Sequence, residues 1–418
     1  MGKTITEKIL ARAADKKEVS PSDYIEVTSR RPTTMAHHSA LGKGADQLAI
    51  WGITPFDVHR IRIVDGHYGA TESPVAQEKR RQTREWAKAM GIPKEYIYEL
   101  GRQGAEAIIT AEKGWALPGE CIFQGVNGHT CTVGALGCFS MALSFGTGAY
   151  LARGKTWIKV PQSCKMVIKG KLPKGVSARD ISEYTLGQIG PSGAVGMVTE
   201  WVGPVVDEME MDERFCLCGV TLFTGAWTSI MNPDEKTLSW VRSHSNEEFE
   251  PLVSDPDAQY AKVYEFDVSN IEPQVVMPDN RYTVKPVSEV AVIRINKGMV
   301  GTESNGWLAD MRMAAEILNG RQIHPEVIMD ILPGSMNILQ EAVSKGFIST
   351  LLAAECVLHV PGTDRNTPLG PEEIGIMTAS TNPPGRGGSL SAKLFLAAPY
   401  TVAASCVAGK IVDPRKYL

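Results

Sequence analysis

Short apolar runs alternate with amphipathic segments along this chain, and their spacing predicts an α/β fold. Residues 4–14 place Ile5, Ile9 and Leu10 on one face of a helix. Residues 61–64 and 121–123 are predicted to be buried strands, and the apolar stripe of 305–318 predicts a helix that ends near Gly320. The same pattern recurs at 327–332, 338–345, 357–360 and 394–408. Strands and helices that alternate at this spacing favour parallel sheets covered on both faces.

Other segments carry weaker patterns. Residues 166–168 predict a strand, with a helix following near 180–186, and residues 290–295 predict another strand. Residues 232–267 are rich in Asp, Glu, Ser and Pro, which indicates exposed loops, and residues 272–285 resemble a proline-containing linker. A chain of 418 residues is too long to fold around a single hydrophobic core, so roughly two to four compact units are expected.

Composition narrows the function classes. A net charge of −4 argues against nucleic acid or an anionic membrane surface as the main partner. No apolar run approaches the ~20 residues of a membrane span, and charged residues interrupt the first segment, so no signal peptide is predicted. Eight cysteines lie mostly in apolar runs, which is typical of reduced thiols in a cytoplasmic protein. The close pair Cys216 and Cys218 is predicted to be structural.

Three glycine-rich turns concentrate polar side chains, and two of them directly follow predicted strands. Their candidate residues are His37 and His38, then Asp65 and His67, then His129 and Thr130. Polar residues just past the ends of parallel strands commonly bind ligands, so the sequence predicts a joint site. A single histidine in such a turn is more often a hydrogen-bonded structural residue.

Two further turns suit a carboxylate ligand. Glu303, Ser304 and Asn305 lie at a predicted helix N-terminus, where free N–H groups and the helix dipole favour anions. The alternative there is a plain helix cap. Arg386 lies in the glycine-rich segment 382–388, where its guanidinium can pair with both carboxylate oxygens. The alternative for this segment is a simple surface loop.

Several fragments occur in a fixed order along nearly the whole chain. They are Met1-Gly2-Lys3-Thr4-Ile5, Gly128-His129-Thr130-Cys131-Thr132, residues 157–161, residues 170–176, Ser304-Asn305-Gly306 and Gly385-Arg386. In this order they resemble the large subunit of 3-isopropylmalate dehydratase and its aconitase relatives. The resemblance implies an aconitase-like fold of three α/β domains around a cleft, here 1–163, 164–285 and 286–418. It also implies that the family's fourth, swivelling domain is a separate small subunit that completes the site.

The departures from this family concern its iron–sulfur cluster. The family's first cluster cysteine stands in a Ser-Cys-Thr-Asn-Gly motif, and Glu303 occupies that position here. The stretch that matches the family's Cys-x-x-Cys, residues 362–366, contains no cysteine. A family glutamate near the cluster is replaced within 219–223, which ends in Phe223. Because thiolates hold such clusters, we expect no 4Fe–4S cluster.

The resemblance therefore implies a cluster-independent lyase or isomerase that dehydrates, hydrates or isomerises a small carboxylic or hydroxy acid. The candidate catalytic residues are Asp65, His67, His129 and Glu303, and the candidate substrate-binding residues are Ser304, Asn305, Arg386 and Thr130. One divalent metal, Zn, Fe or Mn, can replace the cluster as Lewis acid, with His37, His38, His67 and His129 as candidate ligands. Metal-free acid–base catalysis is the alternative chemistry. Two other functions stay open: a non-catalytic pseudoenzyme or assembly subunit, and a different lyase or hydrolase.

Overall fold

The α/β fold is built on four sheets. The structure, a computed structural model, describes residues 2–36, 44–65, 74–99, 101–125, 128–363 and 368–418. No helix among these residues is long and apolar enough to cross a membrane. The three larger sheets use strands from 33–142, 163–267 and 274–397 in turn. The predicted domain boundaries stay a prediction.

The first helix, α1 (Ile5–Ala13), begins where its sequence predicts. Thr4 caps it: its hydroxyl accepts a hydrogen bond from the Glu7 backbone N–H at 3.3 Å, and the Glu7 carboxylate accepts one from the Thr4 N–H at 2.9 Å. This reciprocal pair satisfies two N–H groups that a helix start otherwise leaves free. The predicted apolar face is buried, since Ile5, Ile9 and Leu10 are each at most 1% exposed.

The first large sheet has five parallel strands in the order β4-β3-β2-β5-β6. Its strands are β2 (Thr33–Ala36), β3 (Ile61–Val64), β4 (Ile97–Tyr98), β5 (Cys121–Gln124) and β6 (Phe139–Ala142). Beside it, β1 (Tyr24–Thr28) and β7 (Lys155–Lys159) form an antiparallel pair. The helices of this region are α2 (Asp46–Trp51), α3 (Pro74–Met90), α4 (Glu106–Glu112) and α5 (Thr147–Arg153). The winding direction reverses between β2 and β5, and such a switch point opens a crevice at the carboxyl ends of its strands.

The second sheet has four parallel strands in the order β10-β9-β8-β11. They are β8 (Ser163–Lys169), β9 (Val198–Val202), β10 (Thr228–Met231) and β11 (Lys262–Asp267). The helices are α6 (Ala178–Ile189), α7 (Pro204–Glu208), α8 (Met211–Val220) and α9 (Glu235–His244). The prediction of exposed loops over 232–267 is wrong where α9 and β11 lie. Because β11 is an edge strand, every second residue is exposed, and its sequence looks polar.

The third sheet has seven strands in the order β13-β12-β18-β17-β14-β15-β16. They are β12 (Gln274–Val276), β13 (Val284–Pro286), β14 (Lys297–Gly301), β15 (Ile328–Leu332), β16 (Val357–Leu358), β17 (Ile374–Met377) and β18 (Lys393–Ala397). The helices are α10 (Val287–Val290), α11 (Thr302–Asn305), α12 (Leu308–Leu318), α13 (Met336–Ser344), α14 (Phe347–Ala353) and α15 (Pro399–Ala408). From β18 to β16 the pairs are parallel, and a second switch point lies between β14 and β17.

Two predictions in this region are wrong. The supposed linker 272–285 contains β12 and most of β13, which pair antiparallel and complete the sheet edge. The strand predicted at 290–295 lies instead at β14, whose glycines hid it from a pattern of apolar residues. Gly298 is required there, because a Cβ would come within 2.1 Å of the Cys406 Sγ on α15. The close packing of α15 on β14 thus leaves no room for a side chain at position 298, so the apolar pattern of a strand is missing there.

A fully buried ion network joins α6 to the third sheet. Glu183 accepts hydrogen bonds from the guanidinium groups of Arg179, one turn earlier on α6, and Arg281, in the β12–β13 connection. Burial alone would raise the pKa of Glu183, but the two guanidinium charges outweigh it and hold the pKa below its usual value. Arg179 also donates to the carbonyls of Thr378 at 2.9 Å and Ala379 at 2.7 Å. The segment after β17 is therefore fixed to α6.

Glu183→Gln removes the charge that both buried guanidinium groups share. We expect the free energy of unfolding to fall by about 3–5 kcal/mol, since breaking a buried ion network leaves uncompensated charge. Denaturant unfolding followed by circular dichroism measures this loss. The matched control is Glu78→Gln, which removes an exposed helical pair with Arg81 and should leave the unfolding midpoint unchanged. Equal effects of the two variants would contradict the role of the buried network.

Candidate active site

A histidine and a glutamate that follow strands of two different sheets contact each other in the protein interior. His129 follows β5, in the 3₁₀ segment Gly128–Leu136, and Glu303 lies on α11, directly after β14. The His129 Nε2 and the Glu303 Oε1 are 3.0 Å apart, and each residue is 7% exposed. Both residues follow strands that border a switch point. The carboxyl edges of the first and third sheets therefore converge on this pair.

The other ring nitrogen of His129 fixes where its protons are. Its Nδ1 lies 2.9 Å from the carbonyl oxygen of Gly219, at the end of α8. Because a carbonyl only accepts, Nδ1 carries a hydrogen and donates it. A neutral ring would then present a lone pair at Nε2 to the Glu303 oxygen. The 3.0 Å contact is favourable when one proton lies between Nε2 and Oε1, and in that state the pair can donate or accept this proton.

Gly219 allows His129 to lie this close to α8. A Cβ on Gly219 would come within 2.8 Å of the Thr132 hydroxyl, one turn after His129. The Phe223 ring packs edge-on against the imidazole with ring centroids 6.2 Å apart. Gly219 and Phe223, which both belong to the region of the second sheet, thus form one wall beside the His129–Glu303 pair.

The turn that carries Glu303 is strained. Thr302 has a φ of +73°, a left-handed conformation that a β-branched residue rarely adopts. Gly301 before it has a φ of +144°, and a Cβ there would lie 2.2 Å from the Leu332 carbonyl oxygen. The hydroxyls of Thr302 and Thr132 are buried and lack a hydrogen-bond partner among the described residues. Backbone strain and unsatisfied polar atoms of this kind concentrate at ligand sites.

Ser304 connects the pair to the switch point between β14 and β17. Its hydroxyl lies 3.4 Å from the His129 Nδ1 and 3.1 Å from the hydroxyl of Ser380, which follows β17. The Thr378 hydroxyl, also past β17, bonds both the N–H and the C=O of Gly301 at 2.9 Å. The predicted substrate-binding residue Ser304 is thus in contact with the predicted catalytic His129.

Asn305, a predicted substrate-binding residue, makes hydrogen bonds to three neighbouring side chains. Its amide oxygen accepts from Arg179, and its amide nitrogen donates to the Asp310 carboxylate at 3.0 Å and the Cys216 Sγ at 3.3 Å. These bonds use both ends of the amide, so Asn305 holds α11 in place. It does not cap α12 either, because the Trp307 N–H bonds to Asp310 at the start of that helix.

The remaining predicted residues are less closely joined to the pair. Asp65 directly follows β3, is 3% exposed and contacts the Arg80 guanidinium at 2.6 Å. Burial raises the pKa of Asp65 in spite of this contact. Thr130 is buried beside His129, and Arg386 is half-buried in the β17–β18 connection. The candidate ligands His37, His38 and His67 lie outside the described residues.

The thiols near the pair are protonated. Cys131 donates to the Gly128 carbonyl at 3.4 Å, and burial raises the pKa of Cys131 and Cys216 well above the usual value and that of Cys218 to about 12. All eight cysteines are free and buried, as their location mostly in apolar runs predicted. In the described ranges, no three His, Cys, Asp or Glu residues are grouped closely enough to hold a metal ion.

Comparison with known proteins identifies the family. The model of the aconitase family (aconitate hydratase) matches residues 54–409. The chain belongs to the aconitase family. It is 36% identical to the 3-isopropylmalate dehydratase large subunit of Thermodesulfovibrio yellowstonii over 423 residues, which cover 100% of this chain and 99% of that one. It is 33% identical to the large subunit of the same name from Heliobacterium modesticaldum, with 100% of both chains covered.

A distant likeness is found to a solved structure, the holo-form of aconitase X from Thermococcus kodakaraensis. It has a TM-score of 0.44 and 10% identity over 84% of each chain, and it does not inform the site. Family membership confirms the predicted aconitase-like α/β fold. It also confirms the predicted enzyme class, a hydro-lyase or isomerase of the aconitase superfamily.

The sequence-based predictions missed several residues that build this site. Gly219, Ser380 and Arg281 carry no local signal, because each acts through a contact that only the fold creates. Arg179 and Glu183 did offer one: opposite charges four residues apart at positions of α6 that are fully buried. Charges on the core face of a helix are rare unless they are paired, and this pattern marks a network.

The Asp310 carboxyl, which holds Asn305, makes stability depend on pH. Burial raises the pKa of Asp310 to about 7, despite its bonds from Asn305 and Trp307. The unfolded chain releases this proton near pH ~4, so stability falls as the pH rises from about 4 to about 7. We expect Asp310→Asn to flatten this slope by on the order of 2–4 kcal/mol. Unfolding midpoints across that pH range measure it, and a slope that persists unchanged would refute the assignment. Asp46→Asn, at an exposed position, is the control.

Proposed function

We propose that this chain is the large subunit of a cluster-independent hydro-lyase, in which the His129–Glu303 pair exchanges a proton with a small hydroxy acid. The 3.0 Å contact between Nε2 and Oε1 carries this proposal. A buried pair that holds a single proton is suited to general acid–base catalysis, because water does not compete for the proton. Ser304, in contact with His129, is in position to bind a substrate oxygen.

The proposed reaction divides between an acid and a base. Dehydration of a hydroxy acid removes a proton from the carbon next to a carboxylate and expels a hydroxyl group. The pair protonates the departing hydroxyl, which leaves as water, and a separate base takes the carbon-bound proton. The name "large subunit" of the relatives supports a second, small chain as the source of that base. Asp65 is the candidate on this chain, and its raised pKa suits a proton acceptor.

The donor chemistry around Glu303 supports the absence of a 4Fe–4S cluster. Glu303 stands where the resemblance places the family's first cluster cysteine, and its carboxylate is engaged with His129. The neighbouring thiols, Cys131 and Cys216, are buried, protonated and hydrogen-bonded. A cluster needs thiolates directed at one point, and these side chains do not provide them. No step of the proposed reaction therefore passes through a 4Fe–4S cluster. The eight free thiols also support a reducing, cytoplasmic setting.

The wall of the site favours a substrate with an apolar branch. Phe223 packs against His129, and the Arg281 guanidinium lies 4.9 Å from the centroid of the same ring. The phenylalanine thus excludes water beside the imidazole, and its ring is held in place by a cation–π contact. The relatives are named for 3-isopropylmalate, whose isopropyl group suits such a wall. We propose 3-isopropylmalate and similar branched hydroxy acids as the first substrates to test.

Substitution of either member of the pair tests the proposal. We expect His129→Gln and Glu303→Gln each to lower kcat by about 100-fold to 10,000-fold, the range of a lost general acid. The double variant should lose little more than each single one, because the pair acts as a unit. The assay follows formation of the unsaturated acid by the purified chain with its small subunit. Glu326→Gln, at an exposed position, is the matched control.

Metal analysis of the same preparations distinguishes metal-assisted catalysis from metal-free acid–base catalysis. His129 is one of the predicted ligands of the Zn, Fe or Mn site, together with His37, His38 and His67, and Glu303 offers a carboxylate beside it. An equimolar metal that disappears in both variants would assign the pair to metal binding. Activity that survives in both variants would rule out the proposed role of the pair. Activity that survives chelation and falls in both variants supports direct proton transfer.

A further inference from the structure

A second cavity lies at the seam between the first and third sheet regions, apart from the His129–Glu303 pair. It has a volume of about 110 Å³, room for roughly four waters, and Tyr98, Gln103 and Asn337 line it together with two cationic side chains. The backbone closes the seam here, because Gly104 pairs with Ser335 and the Ala105 N–H donates to the Gly334 carbonyl at 2.8 Å. The cavity is therefore formed by two parts of the fold that are held together.

The charge at this cavity is positive. The Arg102 guanidinium lies 4.6 Å from the Tyr98 ring centroid, and the Lys113 ammonium lies 5.9 Å from the same centroid. Neither cation makes an ion pair within the described part of the chain; Arg102 donates only to a backbone carbonyl, that of Glu95 at 2.9 Å. The neighbouring acid Glu112 directs its carboxyl to Ser335 and Asn337, and its burial raises its pKa to about 7. Two cations beside one cavity attract an anion.

The side-chain amide of Gln103 also requires a hydrogen-bond donor from the occupant of the cavity. Gln103 is 2% exposed, and its amide oxygen is buried without a hydrogen-bond partner among the described residues. An amide oxygen only accepts, and leaving it unsatisfied in the interior is unfavourable. The first turn of α13 lines the cavity with Met336 and Asn337 and brings the positive end of a nine-residue helix to it; the Met336 N–H itself donates to the Gln103 backbone carbonyl at 3.3 Å. The complementary occupant is thus an anion that also carries an O–H group.

We propose that this cavity binds a small oxyanion with a hydroxyl group, whose charge faces Arg102 and Lys113 and whose O–H donates to Gln103. Both a hydroxycarboxylate and hydrogen phosphate have this chemistry, and both fit 110 Å³. Occupancy tightens the seam between α4 and α13, so the ligand stabilises the joined sheets. This site is independent of the proposed reaction, because none of its residues belongs to the pair.

Calorimetric titration of the full chain at constant ionic strength tests the site. The probes are lactate, its analogue propionate, which lacks the hydroxyl, and inorganic phosphate. We expect saturable binding of lactate or phosphate and at least tenfold weaker binding of propionate. Arg102→Gln combined with Lys113→Gln should weaken binding at least tenfold, and Gln103→Leu should abolish the preference for lactate over propionate. Lys88→Gln, at an exposed position of α3, is the control.

The outcomes assign the site and its ligand. Lactate binding alone indicates a hydroxycarboxylate, and phosphate binding alone indicates a phosphate source. Binding that survives in His129→Gln but not in the Arg102 and Lys113 double variant locates the ligand here, whatever the fate of the proposed reaction. No saturable binding of either probe, or binding that the double variant leaves intact, overturns the proposal. The double variant alters only exposed side chains, so it is expected to fold.

Discussion

The geometry of this protein depends on the carboxylate of Glu183, which is shared by two buried guanidinium groups. Through Arg179 it fixes Asn305 on α11 and the carbonyls that follow β17. Through Arg281 it fixes the Ser380 carbonyl at 2.9 Å and the Phe223 ring. Segments from the second and third sheets are thus held by one charge. Because an unpaired buried charge is costly, these segments move together or not at all.

The geometry of the His129–Glu303 pair follows from this constraint. Glu303 lies on a four-residue helix that begins with a strained threonine, and such a segment is not stable by itself. Asn305 at its end is bonded to Arg179, while Ser304 bridges to the loop after β17. Gly219 then holds the imidazole of His129 from the opposite side. The relative position of Nε2 and Oε1 is therefore set by contacts from all three large sheet regions.

Much of the fold could be predicted from the sequence, because strands and helices that bury one face repeat with a recognisable period. The prediction failed where tertiary contacts replaced apolar residues, as at Gly298 in β14, and where an edge strand such as β11 is half exposed. The sequence predicted that His129 and Glu303 belong to one site, but not that they contact each other. The protonation of the pair depends on the contact of His129 with the Gly219 carbonyl, which is some 90 residues away in the sequence. No local sequence pattern carries that information.

We propose that a proton shared by His129 and Glu303 replaces the iron–sulfur centre at this position of the aconitase fold. The most direct measurement is the iron and acid-labile sulfide content of active enzyme that has been purified anaerobically and then treated to rebuild any cluster. The account predicts a colourless protein with sulfide far below stoichiometric amounts and full activity. A brown protein whose activity rises in proportion to its sulfide content would contradict it.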